Sequence, residues 1–127
     1  MGAWRNERMG RRVSFQETLR KLALIDEAFV EGRAGLGLGL GVTAALGPKA
    51  TALLRLGASV AIGSPAACLE WAAARALAAG ASKDEIAEVL LAVAPVAGLG
   101  RVAGAAPGVA AALEYDVEAA LEEPDGP

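Results

Sequence analysis

The chain has 127 residues, of which 54% are hydrophobic and 4% aromatic, with one cysteine and no histidine. A chain of this length forms one domain, and a single cysteine excludes an intrachain disulfide and fits a reducing compartment. The core must be built mainly from alanine, leucine and valine, which favours close-packed helices that bury further surface between subunits. We therefore expect an all-α homo-oligomer.

The charge distribution argues against nucleic-acid and membrane partners. The net charge is −3. Four arginines lie before position 13, and the charged residues from Glu114 onward are all acidic. Four arginines without a folded basic face or aromatic platforms do not make a nucleic-acid site. These segments are interpreted as solvated tails or as contacts between subunits. No apolar run is long enough to span a bilayer, so we expect a cytoplasmic protein.

The helices are predicted from their caps, beginning after a basic arm over residues 1–13. Ser14 and Glu17 form a capping box that opens the first helix, whose apolar residues follow helical spacing until Gly32 ends it. The glycine-leucine alternation over 35–41 is interpreted as a tight connector or a poorly formed helix, because glycine raises the cost of ordering. It lacks the glycine spacing of a dinucleotide-binding fingerprint.

Two helices follow in the middle of the chain. Pro48 suits the first turn of a helix that Gly63 ends. Ser64 and Pro65 then serve as N-cap and first residue of a helix that contains the cysteine and closes at Gly80. These helices are expected to belong to a compact bundle.

The last part of the chain is also predicted to be helical. Ser82 and Glu85 form a second capping box, and the helix that they open bends or ends at Pro95. An alanine-rich helix over 102–113 is interrupted at Pro107, and a short acidic helix follows. The pattern therefore predicts six or seven helices.

Asp116 caps that short terminal helix. The helical domain is predicted over residues 14–123, and residues 124–127 are a C-terminal tail. No strand is predicted, and neither a metal site nor a cofactor is expected from this sequence.

The stretch from Pro48 to Pro95 has a recognisable order of elements. An apolar helix that carries a lysine and an arginine is followed by a Gly-Ser-Pro turn, by Cys-Leu-Glu-Trp and by ALAAGASKDEIAEVL. This order resembles the carboxymuconolactone decarboxylase family, which includes the alkylhydroperoxidase-D-like proteins, and a weaker resemblance continues through 105–120. The resemblance implies an all-α fold that assembles as trimers or hexamers.

The chain departs from the redox members of that family at their reactive positions. Those members carry Cys-x-x-Cys, a histidine after three further residues, and a glutamate on the preceding helix. Here Cys68 stands at the second cysteine, while Pro65, Ala72 and Leu53 occupy the other three positions. A dithiol peroxidase needs a second thiol to resolve the sulfenic acid, so this chain is not expected to perform that reaction alone.

One face of the cysteine-containing helix is predicted to carry the site. Helical spacing aligns Ser64, Cys68, Trp71 and Arg75, and the helix N-terminus near Cys68 favours a thiolate. Cys68 is the candidate catalytic residue, and the candidate substrate-binding residues are Ser64, Trp71, Arg75 and Arg101. In the alternative interpretation, Cys68 is a small core residue and Trp71 a core or interface anchor. Arg75 is then a surface or interface charge.

Four functions remain open. The favoured one is a carboxymuconolactone-decarboxylase-like helical protein, without the dithiol motif, that binds or acts on a small apolar or carboxylate-bearing molecule near Cys68 and Trp71. The second is a decarboxylase of a small organic acid that uses an arginine and a non-histidine acid. The third is a single-thiol redox protein acting through Cys68, and the fourth is a non-catalytic structural oligomer.

Overall fold

The computed structural model describes residues 14–34 and 45–123, and every regular element in these ranges is an α-helix. The seven helices are α1 Phe15–Ala23, α2 Glu27–Ala34, α3 Gly47–Ile62, α4 Ala66–Ala78, α5 Lys83–Ala97, α6 Leu99–Ala112 and α7 Val117–Leu121. This confirms the all-α prediction. None of the described helices has the combination of length and hydropathy needed to cross a membrane. The basic arm, the segment 35–41 and the C-terminal tail lie outside the described residues.

The chain consists of two compact units, residues 1–48 and 49–127, and most contacts between residues lie within one unit or the other. In the first unit, α1 begins where the sequence predicts, because Ser14 Oγ accepts a hydrogen bond from the backbone N–H of Glu17 at 3.2 Å. Phe15, Leu19 and Leu22 recur at helical spacing along α1 and are 70%, 61% and 48% exposed. Within the described residues, α1 therefore has an apolar face that is not buried.

The first predicted helix is two helices in the structure. α1 ends because Ile25 adopts the left-handed conformation, with φ 56°, and its N–H donates to the carbonyl of Leu22 at 3.0 Å. Asp26 then caps α2, since its Oδ1 accepts a hydrogen bond from the N–H of Phe29 at 3.0 Å. Gly32 lies inside α2, so the prediction that Gly32 ends the helix is wrong.

The core of the second unit is assembled from small side chains on α3 to α6 and on the turn before α5. Its largest fully buried residues are Leu56, Val60, Ile86 and Val109. Because many of the other buried residues are alanines, helix backbones approach closely. A Cβ atom on Gly108 of α6 would lie 3.0 Å from the carbonyl oxygen of Ala66 in α4. The α4–α6 crossing therefore depends on a glycine.

A polar contact and an apolar contact show how α3 and α5 are oriented. Lys49 Nζ lies 3.0 Å from Glu85 Oε2 near the start of both helices. Further along, a Cβ atom on Gly57 would lie 3.3 Å from Val93 Cγ2 and 3.4 Å from Val89 Cγ1. The contacts occur in the same order along both helices, so α3 and α5 run in the same direction.

The predicted stops at Gly63 and Gly80 are correct, and Pro48 lies in the first turn of α3 as predicted, whereas the predicted roles of Pro65 and Pro107 and the predicted helix end at Pro95 are wrong. Gly63 and Gly80 follow α3 and α4 with φ 77° and 100°. Pro65 takes the N-cap position of α4, so Ser64 is not the N-cap and Pro65 is not the first helical residue. Pro95 and Pro107 lie inside α5 and α6 and end neither helix.

Each internal proline removes one backbone hydrogen bond to the carbonyl four residues earlier. Those carbonyls belong to Leu91 and Ala103, and both residues are exposed, so water can satisfy the carbonyl groups. The missing bonds are therefore tolerated, and both helices continue. α5 ends only at Gly98, which has φ 93° and serves as the single-residue break before α6.

Candidate functional site

A cavity of about 260 Å³ lies where the end of α3, the turn into α4 and the first part of α6 meet. Its lining residues are Val60, Gly63, Ser64, Leu69, Gly100, Arg101, Gly104 and Ala105. Within this set, Arg101 carries the only charge and Ser64 the only hydroxyl group. The structure thus brings together two of the five predicted site residues.

The turn that presents Ser64 is built by the backbone. The N–H of Gly63 donates to the carbonyl of Val60 at 3.1 Å, and the N–H of Ser64 donates to the carbonyl of Ser59 at 3.0 Å. This pair of hydrogen bonds is the Schellman motif, which satisfies the last carbonyls of a helix and favours glycine at the left-handed position. The end of α3 therefore fixes the backbone of Ser64 at the cavity.

Arg101 lies directly over that turn. A Cβ atom on Gly63 would overlap with the guanidinium group of Arg101, so the absence of a side chain at position 63 makes room for the cation. Arg101 itself is exposed and has no ion pair with any described carboxylate. Its charge is therefore available to a ligand in the cavity.

The start of α6 adds to the positive potential of the cavity. Gly98 caps this helix without a side-chain hydrogen bond, and the first turn contains no acidic residue. The first N–H groups of a helix lack partners within it, and the helix dipole places partial positive charge there. Gly100 and Arg101, in that first turn, line the cavity. The arrangement therefore favours an anion.

Cys68, Trp71 and Arg75 lie on the outer side of α4 and do not line this cavity. Cys68 is a free, exposed thiol and Trp71 is 52% exposed, so neither residue lies in the core of the single chain, and the interpretation of Trp71 as an interface anchor stays a prediction. The guanidinium carbon of Arg75 lies 5.0 Å from the centroid of the Trp71 ring, a cation–π contact. The inward face of α4 consists instead of Leu69, Ala72, Ala73 and Ala76.

Three positions that hold redox residues in the dithiol members of the family described above hold residues of the cap or the core in this chain. Pro65 caps α4, Ala72 is 9% exposed in the core, and Leu53 packs against the core. Among the described residues, no cluster of three or more histidine, cysteine, aspartate or glutamate side chains is arranged to hold a metal ion. Cys68 thus gains no partner from these three positions.

Glu85 serves the fold as a helix cap. Its Oε1 accepts a hydrogen bond from the N–H of Ser82 at 2.8 Å, and Ser82 Oγ accepts one from the N–H of Glu85 at 3.0 Å. The bond from the Ser82 N–H, followed by the contact with Lys49, lowers the pKa of Glu85 below its ordinary value of 4.5. The carboxylate is therefore ionised at neutral pH and does not serve as a proton donor.

A larger groove between α5 and α6 was not predicted from the sequence. Its volume is about 500 Å³. Its floor consists of Ala87, Leu90, Ala106, Val109, Ala110, Leu113 and Val117, and its rim of Lys83, Asp84, Glu114 and Tyr115. We call it the α5–α6 groove. The acids at positions 84 and 114 are the only sequence signal for it, and their proximity depends on the antiparallel packing of the two helices.

Comparison with known proteins gives one result. A family model described as the carboxymuconolactone decarboxylase family matches residues 27–112. That range contains α2 to α6, including Ser64, Cys68 and Arg101. No match was found among curated proteins or among solved structures.

Proposed function

Since the chain belongs to the carboxymuconolactone decarboxylase family, we propose that it is a member without dithiol peroxidase chemistry that binds a small organic carboxylate in the cavity of Ser64 and Arg101. The observation that carries this proposal is the position of Arg101. Its guanidinium group lies over Gly63 at the edge of a small cavity, with no ion pair to a described carboxylate.

The chemistry of the lining favours a carboxylate. A guanidinium group pairs with a carboxylate through two parallel hydrogen bonds, and the Ser64 hydroxyl can donate a third. The dipole of α6 adds favourable potential at the same place. Val60, Leu69 and Ala105 supply apolar surface for the hydrocarbon part of the ligand. A small acid with an apolar body therefore complements both parts of the lining.

The size of the cavity limits the ligand. An apolar cavity of about 150 Å³ holds one benzene molecule, so about 260 Å³ accommodates a molecule of roughly the size of benzoate. Larger ligands would have to extend into solvent past Arg101.

The same lining supports binding more than decarboxylation. A decarboxylase must protonate the carbanion left when carbon dioxide departs. Among the described residues that line the cavity, none has a carboxyl, thiol or phenol group, and Cys68 lies outside the cavity. We therefore propose binding as the function of this cavity.

Calorimetric titration with benzoate tests the proposal, with benzamide as the neutral analogue. Hydrogen bonds to charged groups contribute about 1.5–3 kcal/mol, so Arg101→Gln should weaken benzoate binding by about tenfold or more. Arg75→Gln is the matched control and should leave the affinity within about twofold, because Arg75 lies outside the cavity. Equal affinity for benzamide, or unchanged benzoate binding by Arg101→Gln, would contradict the proposal.

We further propose that the protein is a homo-oligomer, as a trimer or hexamer. Leu54, Ile62, Leu91 and Val96 are large apolar side chains on α3 and α5 and are exposed in the single chain. Exposed apolar surface of this kind is typical of contacts between subunits. Size-exclusion chromatography with light scattering tests this, and a stable monomer at micromolar concentration would contradict it.

A further inference from the structure

We propose that α1 of one copy of this chain packs its apolar face into the α5–α6 groove of a second copy. This interaction is separate from the proposed carboxylate cavity, since the two sites share no residue. The interaction would fill the α5–α6 groove. It would also cover the apolar face of α1, which is exposed within the described residues.

The α5–α6 groove has the composition of a helix-binding surface. Its floor is apolar, and its volume of about 500 Å³ is nearly twice that of the carboxylate cavity. A second depression of about 410 Å³ continues from it past Tyr115, and Asp116 and Glu118 are among its lining residues. Together with Asp84 and Glu114, these residues place four carboxylates and a single lysine, Lys83, around the apolar surface.

α1 has the complementary pattern. Phe15, Leu19 and Leu22 occupy positions i, i+4 and i+7, the anchor spacing of an amphipathic helix that lies in a groove. All three are exposed, and α1 buries no residue within the described structure. Burial of large apolar side chains stabilises an interface, so an apolar partner suits this face of α1.

Charge complementarity supports another copy of this chain as the partner. The last turn of α1 carries Arg20 and Lys21, and four arginines precede α1 in the sequence. Lys21 is already 3.5 Å from Asp26, whereas Arg20 has no ion pair with a described residue. The basic helix and the acidic groove belong to one chain, so two copies complement each other. Such charges set orientation and specificity more than affinity.

The same contact can be made twice between two copies. If each copy places α1 in the groove of the other, the interface is isologous, and both apolar faces are buried by one symmetric arrangement. A head-to-tail exchange that does not close between two copies forms a ring where the rotation between copies closes. In either case each groove receives the helix of a different molecule.

Disulfide trapping with full-length chains tests the contact directly. In a Cys68→Ser background, one chain carries Thr18→Cys, beside the apolar face of α1, and a second chain of different mass carries Ala106→Cys, in the groove. Oxidation of the mixture should give a mixed disulfide dimer at several times the yield obtained with Ala74→Cys, an exposed alanine of α4. Equal yields from Ala106→Cys and Ala74→Cys would overturn the proposal.

The occupant is checked with a chain that carries both Thr18→Cys and Ala106→Cys. Formation of linked dimers supports the exchange between copies. A disulfide that forms only within single chains, at every protein concentration, would show that the groove receives its own helix and would overturn the proposal.

Charge reversal supplies an independent measurement by sedimentation equilibrium. Arg20→Glu should weaken self-association by about tenfold, and Glu114→Lys in the same chain should restore most of the loss, because the pair is then reversed. The circular dichroism of each variant should remain that of the wild type, since both side chains are exposed. Unchanged association of Arg20→Glu, or a double variant that associates no better than the single ones, would overturn the proposal.

Discussion

The guanidinium group of Arg101 occupies the space in which a side chain at Gly63 would lie. Gly63 is in the left-handed conformation, with φ 77°, so glycine is favoured at this position both by the backbone and by its neighbour. The relationship joins the end of α3 to the start of α6, which are far apart in the sequence. It also places the only charged side chain among the described lining residues in the same cavity as the hydroxyl of Ser64.

Gly63→Ala should therefore affect both stability and binding. A left-handed non-glycine residue costs about 1–2 kcal/mol, and the new methyl group must displace Arg101. Gly80→Ala is the matched control, because Gly80 also has a positive φ, of 100°, but no described atom beyond its chain neighbours lies within 4 Å of its Cβ position. Urea denaturation should show a loss for both variants, whereas benzoate titration should show weaker binding only for Gly63→Ala. Unchanged benzoate binding by Gly63→Ala would contradict the account of Arg101.

Two glycines of α6 should respond to alanine with opposite signs. A Cβ atom on Gly108 would lie 3.0 Å from the carbonyl oxygen and 3.2 Å from the Cα of Ala66. Because backbone atoms cannot give way easily, Gly108→Ala should destabilise the protein by about 1–3 kcal/mol. Among the described residues, no atom outside the neighbouring backbone of α6 lies within 4 Å of the Cβ position of Gly104, so Gly104→Ala should stabilise α6 by about 1 kcal/mol.

Urea denaturation of both variants checks this prediction, and each variant serves as the control for the other. Stabilisation by both substitutions would show that α4 and α6 can separate at little cost. Destabilisation by both would show that Gly104 has a packing role that its surroundings do not indicate.

Helix ends with a local chemical cause could be predicted from the sequence. Gly63 and Gly80 end their helices because glycine adopts positive φ without strain. Ser82 and Glu85 begin α5 because each side chain satisfies the other residue's backbone N–H. Asp116 caps α7 because its Oδ1 accepts a hydrogen bond from the N–H of Ala119. These interactions span at most three residues, so the sequence alone determines them.

Other boundaries depend on context that the sequence does not show. Ile25 closes α1 in a conformation that β-branched residues rarely adopt, and no sequence pattern marks such a position. Pro95 and Pro107 remain inside helices because exposed carbonyls tolerate the lost hydrogen bond. Exposure of the residues whose carbonyls lose a hydrogen bond is a property of the folded chain, and the sequence does not show it.

The candidate site could be predicted only in part, because alanine obscures which helix face is buried. Both faces of α4 are rich in alanine, so the spacing aligned Ser64, Cys68 and Trp71 without showing that Cys68 and Trp71 would be exposed. The meeting of Ser64 and Arg101 depends on the packing of α6 against the α3–α4 turn. No spacing within one helix predicts that contact.

Ile25→Gly should stabilise the protein. Ile25 is exposed and left-handed, so the substitution relieves about 1–2 kcal/mol of backbone strain while losing little packing. Leu24→Gly is the matched control, because Leu24 is also exposed but has φ −83°, and it should destabilise instead. Thermal denaturation compares the two variants. A loss of stability for Ile25→Gly would show that the isoleucine side chain has a partner in the assembled protein.

The charge of Glu85 should stabilise the protein at neutral pH and not in acid. Its pKa is lowered below 4.5, first by the N–H of Ser82 and then by Lys49, so the folded state binds the proton less readily than the unfolded state. The stabilisation is therefore present above about pH 4.5 and is lost as the pH falls through the lower pKa of the folded protein. Glu85→Gln removes the charge and keeps a side chain that can still form the capping box.

Urea denaturation of the wild type and of Glu85→Gln between pH 7 and pH 3 measures this effect. The difference in unfolding free energy should be constant from pH 7 to about pH 5 and should shrink below that range. Added salt at about 1 M should reduce the part that comes from Lys49, because exposed ion pairs are screened. Glu88→Gln is the control on the same helix, since Glu88 is exposed and has no ion pair with a described residue. A difference for Glu85→Gln that grew as the pH fell would contradict a lowered pKa, because a group with a raised pKa contributes in the opposite direction.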